Sequence, residues 1–144
     1  MRVCIIGAGL SSLTLAKALV NQNIYVDLYS HKKVNLPDTS RTIGISKSNM
    51  EFFNNSIINV DKISWKLKKI EIFSDNLKNE KLINFENNNN ELFSIIRNQN
   101  LFETLEKSLS KNKYFKRINF YKNFNFLDNY SLVINTDFTS PITR

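Results

Sequence analysis

A glycine-containing hexapeptide near the N-terminus is the segment whose residue types and spacing predict chemistry most directly. It has the form G-x-G-x-x-S and consists of Gly7, Ala8, Gly9, Leu10, Ser11 and Ser12. The first glycine of such a pattern permits a tight turn, and the second lets backbone N–H groups approach a pyrophosphate. The third position needs a small residue so that helix and strand pack closely, and serine is small enough. The segment therefore predicts a phosphate-binding turn, to which the following helix contributes the positive end of its dipole.

The flanking residues decide whether this pattern is more than a chance turn, because a bare glycine pattern is a weak signal. Val3–Ile6 is a short apolar run that ends at glycine, which is typical of a strand buried on both faces. Residues 11–22 carry apolar side chains at helical spacing, and residues 24–29 read as a second strand. Residues 1–30 thus predict a βαβ unit that binds a dinucleotide.

The end of the second predicted strand departs from the dinucleotide-binding fingerprint. An acidic residue is expected there to accept hydrogen bonds from the ribose hydroxyls, and the spacing places Ser30 at that position. Serine supplies no carboxylate, so the affinity is expected to be weak. Asp27 does not replace it, because it lies three residues earlier and its side chain points to the opposite face of the strand.

The rest of the chain alternates predicted strands and helices. Apolar runs at 117–121 and 132–135 predict two further strands of a mostly parallel sheet that also contains 3–6 and 24–29. Asn98 is predicted to cap a helix over 99–110, and Ser46 or Ser48 a shorter one. Asn-rich turns separate three short strands that predict an antiparallel meander: 68–73, 81–85 and 92–96.

Composition narrows the class of protein. The 144 residues suffice for one domain with a core, and no apolar run is long enough to cross a bilayer. Cys4, the single cysteine, cannot form an internal disulfide, so we expect a cytoplasmic protein. One cysteine and one histidine are too few ligands to predict a metal site. The net charge is +7, but many lysines are interleaved with acids, which favours a solvated surface over nucleic-acid binding.

Taken together, these segments resemble the FAD-dependent aromatic hydroxylases, and most of all their ubiquinone-biosynthesis branch. Four segments carry the resemblance in the family's order: the glycine turn with its helix, the arginine-bearing 40–46, then 70–75 with 93–101, and 132–144. The resemblance implies a single α/β, Rossmann-like FAD-binding domain over 1–144, with a mostly parallel sheet and a small inserted antiparallel β-meander at about 67–97.

The resemblance also assigns binding residues by position. Arg41 would contact the FAD phosphates or ribose, and Arg97 or Gln99 would lie near the adenosine. Asp137 and Arg144 match a later motif whose glycine is replaced here by Phe138. The predicted cofactor site consists of Gly7 to Ser12, Ser30, Arg41, Arg97 and Asp137.

The resemblance implies FAD as cofactor, NAD(P)H as the reductant of the complete enzyme, and a small aromatic or quinone-precursor substrate. The family's second flavin motif and substrate domain have no counterpart here, so we expect an incomplete enzyme with a complementing C-terminal half or flavoprotein partner, and we name no catalytic residue. Two alternatives stay open: a non-catalytic module that binds FAD or NAD(P), and an RNA-binding protein that uses the aromatic and basic residues at 114–117 and 120–122. A peripheral association with a membrane stays open as well.

Overall fold

The computed structural model describes residues 1–30, 40–75, 80–86, 91–119 and 127–137. The longer elements follow in chain order: β1 (Arg2–Ile6), α1 (Leu10–Asn21), β2 (Tyr25–Ser30), β3 (Thr42–Ser46), α2 (Lys47–Phe52), β4 (Ser64–Leu67), β5 (Lys69–Phe73), β6 (Lys81–Glu86), β7 (Phe93–Arg97), α3 (Asn98–Leu109), β8 (Phe115–Asn119) and β9 (Leu132–Asn135). A π-helical turn at Phe53–Ile57 continues α2. The sequence also predicts a loop at 31–38, where Pro37 excludes a helix, and this segment lies outside the described residues.

A four-stranded parallel sheet in the order β8-β2-β1-β9 is the centre of the fold. The prediction that these four segments share one mostly parallel sheet is confirmed. Helices α1 and α3 cover one face, where Val3, Ile5 and Leu28 are fully buried against both helices. Burial of β1 on both faces explains why its sequence is a continuous apolar run rather than an alternating one.

The opposite face of this sheet carries a small polar cluster in an otherwise apolar layer. Asp27 is 5% exposed, and its Oδ2 accepts a hydrogen bond of 2.7 Å from the hydroxyl of Tyr130. That hydroxyl also lies 2.9 Å from the hydroxyl of Tyr29. Cys4, the register partner of Asp27, is fully buried; burial, with a smaller contribution from Asp27, raises the pKa of its thiol to about 12. The thiol is therefore protonated and serves as a small apolar side chain.

The antiparallel part of the fold is present, but its strands pair differently from the predicted meander of three consecutive strands. In the part of the chain that the structure describes, β5 pairs only with β6, whereas β7 lies between β3 and β4 in a separate sheet. The physical reason is burial. Ser94 and Ile96 of β7 are fully buried and face the main core beside Ile45 of β3. Pairing with β6, all of whose residues are exposed, would leave these two side chains in solvent.

The β5–β6 ribbon is amphipathic. Ile70 lies opposite Phe85, and Ile72 lies opposite Ile83, so one face of the ribbon is apolar. Ile72, Ile83 and Phe85 are 44%, 44% and 53% exposed. The other face carries ion pairs of Glu71 with lysines of both strands. An isolated two-stranded ribbon is only marginally stable in water. An apolar face that is exposed to this extent is unusual on a monomeric protein.

The helix boundaries agree with the predictions except at one cap. Ser46 caps α2 by accepting a hydrogen bond of 3.4 Å from the backbone N–H of Asn49. The prediction that Asn98 caps α3 is wrong, because the helix already begins at Asn98. Its backbone N–H donates to the carbonyl oxygen of Arg41 at 3.0 Å, which anchors the start of the helix to the residue preceding β3.

Two kinds of feature are missing from the part of the chain that the structure describes. No helix there is long and apolar enough to cross a membrane. The acidic, histidine and cysteine side chains of the same residues form no group that could hold a metal ion.

Candidate functional site: the glycine turn

Gly7 makes the turn that follows β1. Its backbone N–H donates to the carbonyl oxygen of Tyr29 at 2.9 Å, which ties the turn to the neighbouring strand β2. Its φ of +130° is a conformation that side chains rarely permit. A Cβ atom at this position would overlap Thr136 Oγ1 and lie 2.8 Å from Ser12 Oγ. Glycine is therefore required here both by backbone geometry and by the absence of space.

Gly9 has a different role, because its backbone is ordinary and the space in front of it is open. It is the residue that precedes α1, with φ −81° and ψ 179°, and no side chain caps the helix there. A Cβ atom at Gly9 would meet no atom of the described residues within 4 Å. The first helical hydrogen bond runs from Leu13 N–H to the carbonyl oxygen of Gly9. The backbone N–H groups of Leu10, Ser11 and Ser12 thus have no partner within the helix and are available to an anion.

Ser12, the third position of the turn, is 1% exposed and has a partner that the sequence did not reveal. Its Oγ lies 2.6 Å from Thr136 Oγ1, one residue beyond β9. Thr136 also bonds β1 twice, since its hydroxyl and its backbone N–H both donate to the carbonyl oxygen of Ile6, at 2.9 and 2.8 Å. Thr136 lies in the segment 132–144 that carries the resemblance, directly before Asp137, but no role was assigned to it there.

Ser30 and Asp137 flank the turn from the two strands beside β1. Ser30 is the last residue of β2 and is 4% exposed. Because Tyr29 is in register with Ile6, Ser30 lies beside Gly7. On the other side, the backbone nitrogen of Asp137 would be 3.4 Å from a Cβ at Gly7. The carboxyl ends of β2, β1 and β9 therefore meet at one edge, which is where open α/β sheets bind ligands.

Asn135 adds an unsatisfied donor to this edge. It ends β9 and is in register with Ile6. Its Oδ1 accepts the backbone N–H of Asp137 at 2.9 Å, whereas its Nδ2 is buried and makes no hydrogen bond to any described residue. A buried N–H without an acceptor costs on the order of 1–3 kcal/mol. Sequence reasoning did not select this residue.

Arg41 lies near an apolar cavity rather than in the turn itself. The cavity, about 440 Å³, is lined at one end by Leu10 and Ser11 at the start of α1, and on another side by Ile43 and Ile45 of β3. Arg41 is exposed and precedes Ile43 by two residues. The structure thus places Arg41 beside a strand that faces the beginning of α1.

The remaining predicted site residues are not brought into this group. Arg97 is exposed, and its guanidinium lies over the ring of Trp65 at 5.2 Å from the centroid. Gln99 donates to Glu103 one turn further along α3, at 2.8 Å. Phe138 and Arg144 lie outside the described residues.

Comparison with known proteins adds information at the level of the fold. No family model matches the chain, and no curated protein sequence matches it. Solved structures do match. PqsL from Pseudomonas aeruginosa, a probable FAD-dependent monooxygenase, aligns over 83% of this chain with a TM-score of 0.67 and 13% identity. The p-nitrophenol 4-monooxygenase PnpA from Pseudomonas putida DLL-E4 aligns over 81% with a TM-score of 0.67 and 11% identity.

A third neighbour is the tetrameric form of 2-methyl-3-hydroxypyridine-5-carboxylic acid oxygenase, with a TM-score of 0.65, 18% identity and 82% of this chain covered. The alignments cover 32%, 31% and 31% of the three neighbouring chains. The chain therefore has the fold found in FAD-dependent aromatic monooxygenases and spans about a third of their length.

Proposed function

We propose that this chain binds FAD at the edge formed by β2, β1 and β9, as the FAD-binding part of a flavin-dependent aromatic monooxygenase. The observation that carries the proposal is the space at Gly9, which no described residue fills, at the uncapped start of α1, where the backbone N–H groups of the first turn have no partner within the helix. A pyrophosphate fits such a place, since it needs donors, positive dipole and no intervening side chain. FAD, when bound, supplies the oxygen chemistry, and the chain binds and orients it.

Two further features fit FAD rather than a small anion. The buried Nδ2 of Asn135 finds no acceptor among the described residues at the same edge, and a bound nucleotide offers several. The apolar cavity that begins at Leu10 and Ser11 has the size of small-molecule sites and suits an aromatic ring system better than a phosphate. Ser30 supplies no carboxylate to the ribose, so the proposed affinity is modest.

The proposed enzyme is incomplete in this chain. Its solved neighbours are about three times as long, and the apolar face of the β5–β6 ribbon is left exposed. We propose a complementing polypeptide that covers this face and supplies the substrate site. The finer assignments are proposals on the same footing: NAD(P)H as reductant, an aromatic or quinone-precursor substrate of the ubiquinone-biosynthesis type, and a cytoplasmic location.

A second candidate is a nucleotide-binding module without catalysis that uses FAD or NAD(P). It is favoured by the phosphate-binding edge itself, which can receive the pyrophosphate of either kind of dinucleotide without any catalytic residue. The two candidates differ in the ligand they demand: the first requires FAD, whereas the second permits a nicotinamide dinucleotide as the tighter ligand.

Titration of the purified chain with four nucleotides tests the proposal. Flavin fluorescence follows FAD and FMN, and calorimetry follows NAD and NADP. We expect FAD to bind most tightly and FMN much more weakly, because FMN lacks the pyrophosphate bridge and the adenosine. Tighter binding of NAD or NADP than of FAD would favour the second candidate. Binding of none of the four by the folded chain would refute both.

A further inference from the structure

The pairing of Ser12 with Thr136 connects three segments at the turn. The space beside Gly7 is filled by the hydroxyl of Thr136 from the end of β9 and the hydroxyl of Ser12 from the first turn of α1. The two oxygens are 2.6 Å apart, which is a short hydrogen bond between hydroxyls. The absence of a side chain on Gly7 is therefore what allows helix and strand to bond directly across the turn.

The direction of this hydrogen bond follows from counting protons. A threonine hydroxyl has one proton, and that of Thr136 is donated to the carbonyl oxygen of Ile6 at 2.9 Å. Ser12 must therefore donate to Thr136 Oγ1. The chain of bonds runs from the first turn of α1, through Thr136, to the last residue of β1.

We infer that Thr136 and Ser12 together are a positioning pair that holds the first turn of α1 against β1 and β9, and with it the N–H groups that receive the pyrophosphate. The inference rests on the proposed function for its ligand. The pair positions the donors and does not touch the reacting atoms. Small residues suffice at such a turn when close packing alone fixes the helix; here a hydrogen bond between two side chains replaces part of that packing.

The two members of the pair differ in burial, so we expect substitutions of Ser12 and of Thr136 to weaken ligand binding to different extents. Ser12 is 1% exposed, whereas Thr136 is exposed. Thr136→Val keeps the shape but leaves the buried Ser12 hydroxyl without its acceptor, which costs more than the bond itself. Ser12→Ala removes the buried hydroxyl, and water can then reach the exposed Thr136.

The experiment is a double-mutant cycle on the full chain, with the FAD and ADP affinities as first readout. Ser12→Ala should weaken both ligands about fivefold, as expected for one ordinary hydrogen bond of about 1 kcal/mol. Thr136→Val should weaken both more, by roughly tenfold or greater. The double variant should resemble Ser12→Ala rather than the product of the two, because it lacks the orphaned hydroxyl. Thr136→Ser retains the hydroxyl and should bind both ligands like the unmodified chain.

Amide hydrogen exchange of Leu13 in the ligand-free chain is the second readout. Its N–H bonds to Gly9 in the first turn of α1, so exchange should be faster in Thr136→Val and unchanged in Thr136→Ser. Equal exchange in all variants, or additive losses of affinity, would overturn the inference while leaving FAD binding intact. If the unmodified chain binds no nucleotide, the proposed function fails, and the exchange rates alone decide whether the pair holds the turn.

Discussion

Valine at Gly9 separates ligand binding from folding, because this residue has an ordinary backbone and no described residue fills the space that its Cβ atom would take. Its φ of −81° and ψ of 179° are accessible to valine, and a Cβ atom there meets no atom of the described part of the chain within 4 Å. The loss of the better helix-capping residue is offset by lower entropy of the unfolded chain, and the free energy of unfolding should change by less than about 1 kcal/mol. The methyl groups would nevertheless occupy the space in front of the N–H groups of α1.

The expected loss of affinity follows from the contacts that the pyrophosphate would forfeit. Hydrogen bonds to a charged group contribute about 1.5–3 kcal/mol each. Displacing the phosphate from two of the three unpaired N–H groups therefore removes about 3–6 kcal/mol, which is more than a hundredfold in the dissociation constant. FAD titration by flavin fluorescence measures the affinity, and thermal unfolding without ligand measures the stability.

Gly7→Ala is the matched control, because it should lower the stability of the fold, which Gly9→Val leaves nearly unchanged. Its φ of +130° and the overlap with Thr136 should cost at least about 2 kcal/mol, lowering the unfolding temperature by roughly 5–10 °C. A folded Gly9→Val chain that binds FAD as tightly as the unmodified chain would refute the placement of the pyrophosphate at this turn. A Gly7→Ala chain as stable as the original would refute the account of the turn itself.

Three other outcomes are expected. Ser30→Glu should strengthen FAD binding roughly tenfold by supplying the missing acceptor for the ribose hydroxyls. Because Ser30 is 4% exposed, thermal unfolding of the variant is measured alongside its affinity. Unchanged affinity in a folded variant would show that Ser30 does not lie against the ribose. Gly44→Ala should destabilise the fold by about 1 kcal/mol in denaturant titration, since the outer end of the half-buried Phe93 ring has to move away from the new Cβ, and an unchanged midpoint would contradict this. The pKa of the Cys4 thiol is raised from 9.0 to about 12, so the unfolded chain loses this proton first, and the stability of the fold should fall as the pH rises from about 9 towards 12. The stability of Cys4→Ala should fall less steeply over that range. Parallel curves of stability against pH for the two proteins would contradict the effect of burial.

The short-range features of this protein could be predicted from the sequence. A buried parallel strand must be apolar on both sides, so β1 was recognisable as a continuous apolar run. The run in β9 was recognisable in the same way, although β9 ends the described sheet and is only partly buried. A turn between strand and helix that approaches a phosphate needs glycine, so the turn at Gly7 and Gly9 was recognisable as well. These patterns report requirements that a few consecutive residues meet among themselves, and the order of strands and helices follows from them.

The pairing of strands and the partners of the turn were decided only by the tertiary structure. β7 resembles β5 and β6 in sequence, and it pairs with β3 and β4 because only there can Ser94 and Ile96 reach the main core. Ser12 at the third position of the turn read as a tolerable departure, whereas its hydroxyl is bonded to Thr136, a residue 124 positions away. Neither the pairing of β7 nor the partner of Ser12 leaves a pattern in the neighbouring sequence. The free energy of a strand pairing or of a buried hydrogen bond depends on the distant segment that supplies the other partner.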